Sequence, residues 1–169
     1  MKRHPSLRPL SRDHHHALVE AWNLSLAATG DPGSIIPAAR RFYNFWQSDL
    51  RGHFSQEEQI LLPLLEQWAS PEDDPISQTL SQHAEIEGLV GQLDSLLIRG
   101  EAIEAGLLGA LGESLRCHVR FEEQELFPAV EAAVPLGELK RMSDRLAESR
   151  AGAGFGDGAL SPKTPPAEE

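Results

Sequence analysis

Leucine, alanine and aromatic side chains recur three and four residues apart through most of the chain, and β-branched residues are sparse. That period belongs to helices rather than strands. Gly- and Pro-rich interruptions at 29–34 and 69–75, with a weaker one at 99–101, divide the pattern. They predict helices over about residues 11–28, 35–68, 75–98 and 104–133, and a shorter fifth over 136–148. The first carries Leu10, Ala17, Leu18, Ala21 and Trp22 on its inward stripe, with His14 filling the gap. The second turns Phe42, Trp46, Leu50, His53, Glu57, Ile60 and Leu64 inward. On the third the stripe is Leu80, His83, Glu87, Val90 and Leu97; on the fourth it is Leu107, Leu111, Leu115, His118, Glu122 and Leu126. Four long helices with short links predict an all-α fold, an up-down-up-down antiparallel four-helix bundle. With the short C-terminal fifth helix it occupies residues 1–148, and the Gly-, Ala- and Pro-rich residues 149–169 read as a disordered, flexible tail. Pro63 and Pro128 are expected to kink or end their helices.

The polar residues on those stripes change the picture. Residues 53–63, HFSQEEQILLP, match residues 118–128, HVRFEEQELFP, in six of eleven positions. Each copy follows a helix carrying one inward histidine, His14 or His83. The chain therefore reads as two helical hairpins, each contributing a lone histidine and an HxxxE pair. Residues four apart share a helix face, so each pair aims an imidazole and a carboxylate at one point in the core. Carboxylates buried without partners cost several kcal/mol, and two facing each other repel further. Metal cations remove both penalties. Four histidines and two bridging carboxylates give each of two metals two nitrogens and two oxygens. An oxo or hydroxo bridge then leaves one open position on each. Imidazole with carboxylate suits iron, and zinc or manganese take the same donors. No Glu lies three residues before any histidine and HExxH is absent, so neither the Glu-x-x-His di-iron pattern nor a zincin site is present.

These motifs, Leu10-x-x-Asp13-His14, His53-x-x-x-Glu57, His83 and His118-x-x-x-Glu122-Glu123-x-x-Leu126-Phe127-Pro128, resemble those of hemerythrin-like (HHE, cation-binding) domains over about residues 7–134. The resemblance implies a four-helix bundle around a non-haem di-iron centre. His14, His53, His83 and His118 would be its terminal ligands and Glu57 and Glu122 its bridges. Oxygen-carrying hemerythrins have a fifth histidine where this chain has Glu87, and an Asp five residues after the helix 4 histidine. The pattern here is closer to bacterial di-iron proteins of nitrosative stress and iron-centre repair, peroxide-active relatives and iron sensors. The ligand so implied is dioxygen, peroxide or nitric oxide, with an unidentified redox partner. Binding, enzymatic turnover and iron-responsive regulation all stand as readings.

Single residues leave alternatives. His15 competes with His14 as first ligand. Glu87 is a fifth ligand or a hydrogen-bond acceptor behind one. Asp49 and Glu125, one turn from ligands, are surface residues or holders of imidazole N–H groups. Tyr43 and Cys117 read as packing residues. Composition narrows the setting. A chain of 169 residues makes one domain with a real core. A net charge of −11 with no basic run argues against nucleic acid or an anionic membrane as partner. The lone cysteine and the absence of a signal-like or membrane-spanning apolar run lead to the expectation of a cytoplasmic protein.

Overall fold

The computed structural model describes residues 3–69 and 75–152. Helix α1 is Arg8–Thr29. It starts three residues before the expected Ser11 because Pro9 sits in the first turn, where a missing N–H costs nothing. Helix α2 covers residues 35–66, α3 is Pro75–Arg99, α4 covers residues 105–133 and α5 is Leu136–Gly152. The weak interruption after α3 is a Schellman cap. Gly100 takes a positive φ of 65°, Glu101 N–H donates to the Leu96 carbonyl at 3.0 Å and Gly100 N–H to that of Leu97 at 3.4 Å.

No strand occurs among the described residues, and α1 to α4 form the expected antiparallel bundle. Paired contacts fix the directions. Between α1 and α2, Asp13 meets His53 and Glu20 meets Arg41; between α3 and α4, Gln82 meets His118 and Glu85 meets Ser114. The tightest seam is α1 against α4, lined by Ala17, Ala21 and Gly112. A Cβ at Gly112 would stand 2.8 Å from the Ala21 carbonyl oxygen, so the close approach requires glycine. This seam corrects the expected α1 stripe. Small residues face inward with Leu10 and Leu24, whereas Leu18 and Trp22 are exposed, Trp22 by 66%. Leu80 on α3 is exposed as well.

Neither Pro63 nor Pro128 ends its helix. The turn before each winds as a π-helix, Glu57–Leu61 and Glu122–Leu126, and the chain then continues as α-helix. A π turn re-routes the hydrogen bonds that a proline disrupts. Two apolar clusters flank the bundle's middle. One holds Leu24, Phe42, Trp46, Phe54, Val90, Leu111 and Leu115. The other holds Leu10, Leu61, Leu65, Leu126, Phe127 and Val130, closed by Leu139, Met142 and Leu146 of α5. α5 runs past the expected Glu148 to Gly152, where Arg150 reaches Asp13 on α1. The expected tail beyond it lies outside the described residues.

Candidate metal centre

Between the two apolar clusters the bundle encloses six polar residues, none more than 3% exposed: His14, His53, Glu57, His83, His118 and Glu122. They divide into two groups that share both glutamates. His14, His53, Glu57 and Glu122 offer ligand atoms within 4.8 Å of one another, and so do Glu57, His83, His118 and Glu122. Glu57 spans the two. Its Oε1 lies 3.1 Å from His53 Nε2, and its Oε2 lies 3.3 Å from His83 Nε2. Glu122 Oε2 is 2.9 Å from His14 Nε2 and 3.5 Å from His118 Nε2. The HxxxE spacing brings each helix's own pair together, and each π turn begins at the glutamate of that pair.

Every imidazole turns Nε2 to the centre and Nδ1 outward, to an acceptor on a neighbouring helix. His14 Nδ1 meets Glu123 at 2.7 Å, His53 meets Asp13 at 3.3 Å, His83 meets Glu58 at 2.8 Å and His118 meets Gln82 at 3.2 Å. An acceptor at Nδ1 fixes the ring and the tautomer whose Nε2 lone pair points inward. Aromatic faces hold two of the rings. Phe54 stacks on His83 with centroids 3.8 Å apart, and Phe127 on His14 at 5.1 Å.

Without a metal, protons bind this cluster together. Against the cost of burial, the neighbouring Glu122, Glu123 and Glu57 carboxylates hold His14 well above the ordinary imidazole range. Burial also opposes a charge on His53, yet the Glu57 carboxylate and the bond to Asp13 raise it to about 9. His83 is raised despite burial, by Glu57 first. His118 is pushed well below the usual range by burial, with the neighbouring imidazolium charges adding to it. Burial and repulsion from Glu57 push Glu122 up to about 7, whereas Glu57, though buried, is held low by His53, His14 and His83. Both oxygens of Glu57 and of Glu122, and Nε2 of His83 and His118, are buried without a hydrogen-bond partner. Six orphaned acceptors converging on one space fit cations with carboxylate and imidazole ligands.

The six residues expected from the sequence are thus the six brought together. His14 is buried and joins the cluster, whereas His15 is exposed. Glu87 is exposed, because the α3 face that continues from His83 runs through Ile86 and Val90; it is no part of the centre. Asp49 and Glu125 are exposed too, and neither holds a ligand. The holders are Asp13, Glu58, Gln82 and Glu123, which come from facing helices. Their signal was the second glutamate in both copies of the repeated block and the residue before each lone histidine. Tyr43 packs partly buried on the core as expected, but Cys117 is exposed, its thiol donating to Glu113.

The family model of the hemerythrin HHE cation binding domain matches residues 9–130. Searches of curated proteins and of solved structures returned no match.

Proposed function

The chain belongs to the hemerythrin HHE cation-binding family, and we propose that its centre is a pair of non-haem iron ions with an oxo or hydroxo bridge, serving as a small-ligand site. The observation that carries this reading is the sharing of Glu57 and Glu122 between two otherwise separate histidine pairs. His14 and His53 would hold one ion, His83 and His118 the other, and the two glutamates both. Bound iron would supply one-electron redox chemistry and an open position for a small molecule. The chain's own residues do the rest. The Nδ1 partners orient the rings, the two apolar clusters exclude bulk water, and the paired carboxylates neutralise the cations.

Enclosure limits the ligand. The six inward residues are at most 3% exposed, so whatever reaches a cation among them is a small molecule. Dioxygen, peroxide or nitric oxide is the class of ligand that fits, and the role is one in oxidative or nitrosative stress, sensing or iron handling in the cytoplasm. Among the described residues no helix is long and apolar enough to cross a membrane. The test is stopped-flow absorbance after mixing anaerobically iron(II)-loaded protein with each molecule in turn. A spectral change with at least one, absent in Glu57→Gln, is expected. No change with any of the three would overturn the reading.

A further inference from the structure

The four Nδ1 partners are not equivalent, and the difference follows the two halves of the centre. On the first half both imidazoles rest on carboxylates, and an arginine pins each carboxylate. Arg3 Nη2 lies 2.8 Å from Glu123 Oε2 and 2.7 Å from the Glu123 carbonyl oxygen, and the Ser11 hydroxyl donates to Glu123 Oε1 at 2.7 Å. The Arg150 guanidinium grips both oxygens of Asp13, Nη1 to Oδ1 at 3.3 Å and Nη2 to Oδ2. On the second half His118 rests on the neutral amide of Gln82. His83 rests on Glu58, whose side chain is 40% exposed and which no arginine or lysine among the described residues pairs with. The bracing arginines come from outside the repeated hairpins, Arg3 from the segment before α1 and Arg150 from the end of α5.

Resting on the dinuclear reading above, we propose that the two metal positions are unequal. The His14/His53 position takes the first cation and holds it more tightly, and Arg3 and Arg150 set that preference. A carboxylate on the far nitrogen makes an imidazole a better donor and fixes its plane, and losing such a partner commonly lowers metal affinity about 10–100-fold. Each arginine draws some charge from its carboxylate. In return it holds that carboxylate in the one orientation that meets Nδ1, so less freedom is lost when metal binds. A neutral amide and a half-exposed carboxylate supply less of both effects. Arg3 and Arg150 are positioning residues, and they tie the occupancy of one half of the centre to the packing of the segment before α1 and of α5.

The test is binding of cobalt(II) alone to the metal-free full chain, followed by absorbance and calorimetry. Two steps separated by about tenfold or more are expected. Asp13→Asn, which copies the amide of the other half, should weaken the tighter step and close the gap. Arg150→Ala should move the same step in the same direction and leave the weaker one unchanged, with Arg150→Lys recovering part of the loss. Gln82→Glu should tighten the weaker step, a gain that damage to the fold cannot mimic. Two cobalt ions bound in one step of equal affinity, or an Arg150→Ala shift shared by both steps, would overturn the inequality. Fewer than two cobalt ions per chain would instead contradict the dinuclear reading on which it rests.

Discussion

At the scale of single residues, the two shared glutamates differ in consequence from the four histidines. Glu57 places one oxygen against each histidine pair, so Glu57→Gln removes negative charge from both positions together. His83→Ala removes one donor from one position, and water can fill the vacancy. Iron per chain after anaerobic loading and desalting should fall below one in Glu57→Gln and Glu122→Gln, but stay at one or more in His83→Ala. Equal retention of two irons in all three would contradict the bridging roles. All six inward residues were legible in the sequence, because a repeated HxxxE on an apolar stripe has few explanations other than a shared cation site. Their holders were not. Spacing along one helix points to Asp49 and Glu125, one turn away, whereas an Nδ1 atom points across to the neighbouring helix, where Asp13, Glu58, Gln82 and Glu123 wait. Glu87 misled for a related reason. Its spacing from His83 copies HxxxE, but on α3 the buried face passes through Ile86 instead.

At the scale of the elements, the centre depends on how closely α1 and α4 pack. Gly112 stands so near the Ala21 carbonyl that Gly112→Ala should force the helices apart and cost about 1–3 kcal/mol. Chemical denaturation of the metal-free variant measures this, and an unchanged midpoint would show that the seam yields without penalty. Helix α5 is a lid on the second apolar cluster. Leu146, 1% exposed within it, should cost about 2–5 kcal/mol when cut to Ala. The existence and order of all five helices, and the directions of the first four, could be read from period and punctuation. Their finer shape could not. Helical period alone does not reveal that small residues will face the tightest seam, and Trp22, inward by period, is exposed. Nor does a proline announce that a π turn will absorb it, as happens before Pro63 and Pro128.

At the scale of the whole molecule, the centre exchanges protons for metal, and stability should report that exchange. In the metal-free chain His53 is raised to about 9. A histidine raised above its unfolded value of about 6.5 stabilises the fold fully below that value and loses the contribution as pH climbs through 9. Glu122, raised to about 7, changes in the same direction at lower pH. The melting temperature of the metal-free protein should therefore fall between about pH 6.5 and 9. The extra stability conferred by metal should grow over the same interval, since metal and proton compete for one nitrogen. A metal-free protein that becomes more stable across that range would contradict the electrostatics described for the cluster. The most direct test of the account as a whole is anomalous diffraction at the iron edge from crystals of iron-loaded protein. Two peaks are expected between Glu57 and Glu122, one beside His14 and His53 and one beside His83 and His118. Iron bound elsewhere, or a single peak held by one histidine pair in fully loaded protein, would contradict a centre built by two repeated hairpins.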